Sequence, residues 1–514
     1  MEKIHKNRSV IIGTLLFIAF IILININYYT EFIHDTYNGP ISQGIYIIIS
    51  ICLTIVGGAF IIILNKKTKI KVENLFLIAS LIFGMFYLVA TPLLKGHDEA
   101  MHWYKAYSIS LGDLFQVKND EGKMGNYLPA KVQGIYDVQG DYQKIDYKTS
   151  IKAWDYAQDN SIPNEIQFTY SEPTAAYPPI QMIPQAIGIF LSRTVGANVF
   201  IQAMCGRLAN LIFYILIGYF SIKLLPTKKL FLVILLLSPK MVYISTTLSG
   251  DVFINMISIL FTSYIFKLRY EKSIIKKRDM ILLMILTPCI SICKLVYFAI
   301  CALVLIIPKE CFKSKKHRYV FLITILLISV ISVLLWTTVI SQVNRAVNSE
   351  LQKEWILSHP ISYMGVICRG VFNNFSTWTL DMVGGTMQWD VSLKEPQIIS
   401  DIIIFLLLLS IIQDDDNKQE YKVFEKIVIL AIMIVVITMI TTALYLEWSS
   451  TAEVGGTAIT GIQGRYFVPI ALMLTAIFPT KYLEIKNKLD EKWIYIALVL
   501  CQLPSLLNIF AHNI

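Results

Sequence analysis

The sequence predicts an all-α polytopic membrane protein, and three observations carry that prediction. Runs of about 18 or more apolar residues recur along the chain, the length at which a helix crosses the hydrocarbon core of a bilayer. Of 514 residues, 55% are hydrophobic and 16% charged, a balance too apolar for a soluble domain of this size. The basic residues gather in short loops: Lys66, Lys67, Lys69 and Lys71; Lys276, Lys277 and Arg278; Lys309, Lys313, Lys315, Lys316 and Arg318. That is the positive-inside signature of cytoplasmic loops. The net charge of +9 therefore reports topology. Membrane lipids with anionic headgroups are the expected partners, and no nucleic acid is expected.

The elements follow in order. MEKIHKNRS precedes an apolar stretch longer than the roughly 7–15 residues of a signal-peptide core, and no A-x-A-like cleavage site follows, so it reads as a retained first helix, 9–27, with a cytoplasmic N-terminus. A second helix, 44–64, returns to the NKKTKIK loop, and a third, 75–94, ends outside at KGHDEAMHWYKAYSISLGDL. Residues 95–180 form a first large extracytoplasmic loop, with an amphipathic piece at 98–111, a Tyr- and Asp-rich middle, and the turn-forming SEPTAAYPPI. A short apolar segment, 180–192, is expected in the interface. Helices are expected at 202–225, 230–247 and 252–268, the last two as a hairpin with Ser249, Gly250 and Asp251 at its outer turn. The stretch 281–307 has basic loops on both sides, so it splits into two short helices with Lys294 at the outer turn; a single span would break the charge rule. A helix at 319–340 leads to a second large outer loop, 341–397. Helices at 398–412, 426–445, 466–480 and 493–511 complete about thirteen spans, with the C-terminus extracytoplasmic. Residues 1–514 read as one integral membrane domain.

The eight cysteines lie mostly in apolar spans, and Cys289 and Cys293 stand alone as an i, i+4 pair, which argues against both a metal site and a disulfide framework. Heavy use of Ile, Lys and Asn points to an AT-rich bacterial genome, and hence to a bacterial plasma membrane.

Under this topology Asp98, Glu99, Tyr177, Asp251, Lys294 and Arg465 converge on the outer surface from separate places in the sequence. A carboxylate at Asp98 can deprotonate a hydroxyl, with Glu99 tuning its pKa; the competing reading is a hydrated helix cap. Asp251 reads equally as a second active-site carboxylate or as an N-cap. Lys294 interrupts CISICKLVYF, where an ionisable group is costly and marks function unless it only wets a turn. Arg465 stands outside, against the charge rule, where its planar fork suits a phosphate; snorkelling from a helix end is the alternative. Arg207 is a weaker phosphate candidate. Tyr177-Pro178-Pro179 reads as a corner that returns the loop to the membrane. Trp103, Trp378, Trp389 and Trp448 fit an interfacial aromatic belt, with sugar stacking open for one or two. His102, Trp103 and Tyr177 are the candidates for lining a substrate. His97 and His102 lie five apart and Glu99-x-x-His102 is a single pair, so no metal site is expected. No cofactor is expected either, although a divalent cation is left open.

HDEAMHWYKAYSISLGDL, YPPIQMIPQAIG, RLANLIF, SPKMVYISTTLSGDVF and QGRYFVP occur in the order and spacing of a bacterial membrane-protein family labelled domain of unknown function 2142. Over residues 75–480 the chain resembles that family. The DE pair after an early helix and the x-P-P-[LI] corner also look like the GT-C glycosyltransferase superfamily, which includes protein O-mannosyltransferases and lipid A aminoarabinose transferases. That resemblance implies a GT-C-like helical bundle, a polyprenyl-phosphate sugar donor, and a catalytic carboxylate in the first outer loop. It makes Asp98 catalytic with Glu99 as its neighbour, Asp251 the second acidic position, and Arg465 the cation near the donor phosphate. Two differences stand out. Tyr177 occupies a place where those relatives carry His or Lys, and two helices precede the one that leads to Asp98. The expected activity is transfer of a sugar, with inversion, to a cell-surface glycan or lipid-linked acceptor, with Asp98 as base and Arg465 and Lys294 stabilising the departing lipid phosphate. A transporter or flippase for lipid-linked glycans and a polysaccharide polymerase are the competing classes. Transporters tend to show inverted repeats and midplane binding sites, and neither is evident here.

Overall fold

A computed structural model describes residues 71–141, 144–340, 348–387, 397–412, 420–478 and 491–513, with single positions at 48, 52, 55 and 343. The expected helices at 9–27 and 44–64, the lysines at 66, 67 and 69, and Trp389 lie outside the described residues.

Helix α1 (Val72–Ala90) is a membrane-length rod whose inner stripe, Phe76, Ala79, Phe83 and Tyr87, is buried while Ile78, Leu81, Met85 and Val89 stay exposed. It stops at Thr91 because the residue before Pro92 is pushed to extended backbone. The chain then turns through Leu94 and Asp98, both in the left-handed region (φ 65° and 55°). Aspartate tolerates that region better than most residues, and from Asp98 the chain enters α2 (Glu99–Leu111).

The segment 95–180, expected as the first outer loop, is folded. Strands β1 (Val117–Lys118), β2 (Met124–Pro129) and β3 (Ile166–Tyr170) form an antiparallel sheet in that spatial order, with Gly125 facing both Val117 and Tyr170. Helices α3 (Ala130–Asp137) and α4 (Tyr147–Gln158) fill the connection. Helix α4 opens on a capping box, in which Asp146 accepts from the Thr149 N–H at 2.7 Å and Thr149 Oγ1 accepts from the Asp146 N–H at 2.8 Å. The small sheet adds to the all-helical expectation. The loop's core, Trp103, Leu128, Val132, Ile135 and Ala153, is continuous with Ile189 and Ala203 of the next helices. The loop is therefore packed onto the bundle.

After the Tyr177-Pro178-Pro179 corner come α5 (Ile183–Thr194) and α6 (Val199–Leu224). The helix expected at 230–247 is two pieces, α7 (Lys229–Leu236) and α8 (Pro239–Ser245). Pro239 cannot donate a backbone bond and holds Ser238 extended (ψ 146°), so the rod breaks there. The break sets Lys240 in the first turn of α8. Helix α9 (Asp251–Glu271) begins at Asp251. The stretch 281–307 is divided as the charge pattern predicts: α10 (Lys277–Cys293) and a 3₁₀ helix, Leu295–Ile306, meet at an extended Lys294 (φ −145°, ψ 117°).

Helix α11 (Lys315–Ile340) follows. The second outer region holds α12 (Ser349–Ser358) and a 24-residue α13 (Pro360–Val383), more regular structure than a polar loop suggests. Then come α14 (Gln397–Ile412) and α15 (Val423–Leu444), the latter running into a π turn, Tyr445–Ser449. The helix expected at 466–480 is an interrupted rod, with a 3₁₀ turn at Gly464–Phe467 followed by one-turn pieces Val468–Ala471 and Leu474–Ile477. Helix α16 (Glu491–Asn513) closes the described chain. Among the described residues six helices are long and apolar enough to cross a membrane.

Candidate active site

Asp98 and Glu99 are neighbours in sequence with opposite surroundings. Glu99 is buried against Arg207 of α6: its Oε1 accepts from Arg207 Nε at 2.7 Å and its Oε2 from Nη2 at 2.6 Å. Glu99 also accepts the Gly96 and Leu248 N–H groups, each at 2.9 Å. Arg207 spends further donors on the Thr91 and Pro92 carbonyls at 2.8 Å. Every direction of this carboxylate is occupied, so it ties the end of α1, helix α6 and the turn before α9 together. Two assignments change as a result. Glu99, with both oxygens engaged, is placed as a structural pin for the site, and Arg207, fully buried with its fork taken by Glu99, is not presented to a phosphate.

The second cluster is arranged differently. Asp251, buried at the start of α9, accepts from Lys294 Nζ at 2.5 Å and from Arg465 Nε at 2.6 Å. The turn that delivers it is held by Asn210, which donates to the Thr247 and Ser249 carbonyls at 2.8 and 3.2 Å, and by Gln185, which donates to Ser249 at 3.0 Å. Lys294 Nζ lies 4.4 Å from the centre of the Tyr466 ring, whose residue carbonyl accepts the Tyr297 hydroxyl at 2.8 Å. Arg465 is buried too. Burial alone would weaken its charge, but Tyr466, Asp251 and Asp98 outweigh that and raise its pKa. Its Nη2 stands 4.0 Å from Asp98 Oδ2, and the Asp98 side chain is 40% exposed. Asp98 lines a cleft of about 210 Å³ together with Leu94, Glu99, Met101 and Tyr136, and of the two carboxylates only its side chain is exposed. One carboxylate of the set thus faces an opening, and a buried, paired cation stands behind it.

His102, one helical turn beyond Asp98, is buried and stacks on Tyr177 with ring centres 5.6 Å apart. Its Nδ1 has no hydrogen-bond partner. Burial pulls its pKa below the ordinary value even though Asp98 and Asp251 oppose that, and burial pushes the Tyr177 phenol up. Both rings are neutral near pH 7. Trp103 is not at a substrate surface: it is fully buried, donates to the Val132 carbonyl at 2.9 Å, and meets Tyr107 edge-on at 5.2 Å. The helical period that turns His102 toward the cluster turns Trp103 into the loop's core. Trp378 is also buried, stacked on Phe467 at 5.4 Å, whereas Trp448 is exposed.

Two residues that the sequence reading passed over complete the cluster. Asp381, near the end of α13, accepts from Lys240 Nζ at 3.3 Å, from the Thr386 hydroxyl at 3.0 Å and from the Gly464 N–H at 2.6 Å. Burial disfavours its charge, but Lys240 and the Gly464 N–H more than compensate and hold its pKa low. Gly464 approaches α13 so closely that a Cβ there would lie 2.2 Å from the Met382 nitrogen, which only glycine permits. Asp381 thereby fixes the turn that carries Arg465. Lys240 also donates to the Thr386 carbonyl. His97 lies within the field of Lys240 and Arg465; burial first, then those cations, depress its pKa. Lys240 carried a readable signal, a lysine directly after Ser-Pro inside an apolar run. Among the described residues no group of three or more His, Cys, Asp or Glu is arranged to hold a metal ion.

The fold and the site define a polytopic helical membrane protein with a buried, ion-paired cluster beside the folded segment 95–180. Residues 81–474 match the family described as "Predicted membrane protein (DUF2142)", and the chain belongs to that family. No curated protein and no solved structure matches the chain.

Proposed function

We propose that the chain is a membrane glycosyltransferase of the bacterial plasma membrane. It moves a sugar from a polyprenyl-phosphate donor to a cell-surface glycan or lipid-linked acceptor on the outer face, within a bundle of about thirteen helices. The observation that carries the reading is the half-exposed Asp98 set 4.0 Å in front of the buried Arg465–Asp251–Lys294 group. The acceptor hydroxyl gives its proton to Asp98, and its oxygen attacks the anomeric carbon. The bond from that carbon to the phosphate oxygen breaks, and the electron pair leaves with the lipid phosphate. Arg465, whose one long contact is the pair with Asp98, receives the phosphate charge, and Lys294 assists. Asp251 keeps both cations aimed without occupying the open side.

The test is turnover of a synthetic polyprenyl-phosphate sugar by protein in nanodiscs. Asp98→Asn is expected to lower turnover by about 10²–10⁴-fold while the unfolding midpoint stays within a degree or two of wild type. Wild-type turnover in that variant would reject the assignment. Topology has its own check: single cysteines at positions 120 and 390 react with an impermeant thiol reagent in intact cells and one at position 315 does not. The reverse pattern would end the lipid-phosphate-sugar proposal.

A further inference from the structure

The end of the molecule away from the cluster holds a crevice of about 660 Å³ between α6, α9 and α10. Its walls include Ile217, Phe220, Leu260 and Leu282, and Lys223 and Lys267 stand at its rim. Ile217 and Lys223 on α6 are six residues apart and Leu260 and Lys267 on α9 seven, so on both walls a lining lysine stands about 10 Å along its helix from a lining apolar residue. Lys223 is exposed and crosses the Tyr219 ring at 5.6 Å. Lys267 lies 5.7 Å from the Tyr264 ring and 3.9 Å from Glu271, a 45% exposed carboxylate that also lines the crevice. Lys272, Lys276, Lys277 and Arg278 extend the positive charge around this end. A helix pair with a lysine on each wall of an apolar cleft matches an amphiphile with an anionic head and a hydrocarbon tail.

We propose that this crevice is a binding site for one anionic phospholipid. The phosphate sits between Lys223 and Lys267, and an acyl chain runs down past Phe220 and Leu260. The site lies roughly 24 Å along α9 from Asp251, so it is separate from the cluster and does not depend on the proposed chemistry.

The test is native mass spectrometry of delipidated full-length protein in detergent, titrated with phosphatidylglycerol, phosphatidylcholine or glycerol 1-phosphate. Wild type is expected to retain one phosphatidylglycerol with high affinity and to show no comparable retention of phosphatidylcholine. Glycerol 1-phosphate should not displace the bound lipid. Lys223→Ala with Lys267→Ala should weaken retention about twenty-five-fold, at roughly fivefold per surface lysine, and the paired Lys→Arg variant should restore it. Leu260→Trp, which fills the cleft beneath intact lysines, should also lose the lipid. Phe220→Ala, at a position 49% exposed, should weaken retention severalfold. The assignment falls if phosphatidylglycerol is retained equally by the lysine and cleft variants. Equal binding of phosphatidylcholine would overturn the role of the charge, and displacement by glycerol 1-phosphate as effectively as by the lipid would overturn the role of the cleft.

Discussion

Two buried arginine–carboxylate sets lie close together here, and they differ in how completely they are closed. Glu99–Arg207 is sealed: both carboxylate oxygens and most of the guanidinium are used, partly on backbone groups of two segments, residues 91–96 and Leu248. Arg465–Asp251–Lys294 is largely buried, with Lys294 18% exposed, and has a loose edge where Asp98 stands at 4.0 Å with 40% of its side chain exposed. A sealed pair can only hold structure, because any ligand must first break strong bonds in a low-dielectric surrounding. An open one can exchange a long contact for a ligand at little cost. Charge and burial alone do not separate the two.

The comparison predicts separable failures, the largest at the sealed pair. Glu99→Gln leaves Arg207 as an uncompensated buried charge and should cost about 3–5 kcal/mol of stability. The readout is an unfolding midpoint in detergent, together with loss of the helical circular-dichroism signal at lower temperature. The effects of Glu99→Gln and Arg207→Met should not add, since the second mutation removes the charge that the first strands. A Glu99→Gln protein as stable as wild type but inactive would reverse the contrast and return Glu99 to the chemistry.

At the open set the loss should appear in catalysis instead. Arg465→Lys keeps the charge and loses the fork, and Arg465→Ala loses both. Losing one charge-assisted contact costs about 1.5–3 kcal/mol, or roughly ten- to a hundred-fold. The order wild type, Lys, Ala should show in a donor titration and not in an acceptor titration. An Arg465→Ala protein with an unchanged donor response would make Arg465 a structural residue like Arg207. Asp381→Asn sharpens the point. It weakens the hold on the Gly464 turn and should lower donor affinity by less than Arg465→Ala, with the acceptor response unmoved.

The smallest expected effect is on pH. His97 and His102 both have folded-state pKa values below the ordinary histidine value of 6.5, burial being the leading cause. The unfolded chain therefore binds more protons than the folded one as pH falls through about 6.5, and stability declines toward acid pH by at most about 1.4 kcal/mol per unit for each imidazole. Unfolding midpoints at pH 7.5 and 5.5 measure that slope, and His97→Gln should flatten it. A slope unchanged in both His97→Gln and His102→Gln would place the pH response elsewhere.

The sequence alone determined the membrane class, the division of 281–307 at Lys294, and the proline corner after the first outer loop. Each follows from a local rule about apolar length, loop charge or proline geometry. Asp98, Asp251, Lys294 and Arg465 were legible as a group because each is a polar residue at the edge of an apolar span. Their partners were not. In HDEAMHW nothing local tells which carboxylate is sealed, since the answer depends on an arginine 108 residues away. Trp103 and His102 are adjacent letters, and only the packing of α2 against the loop's sheet sends one into the core and the other to the cluster. Asp381 was hidden in an aromatic-rich helix within a region read as a polar loop, and it matters only because Gly464 comes into contact with α13. Short-range sterics and solvation are written in neighbouring residues, whereas the pairing of buried charges is decided by which distant segments the tertiary fold brings within about 3 Å of each other.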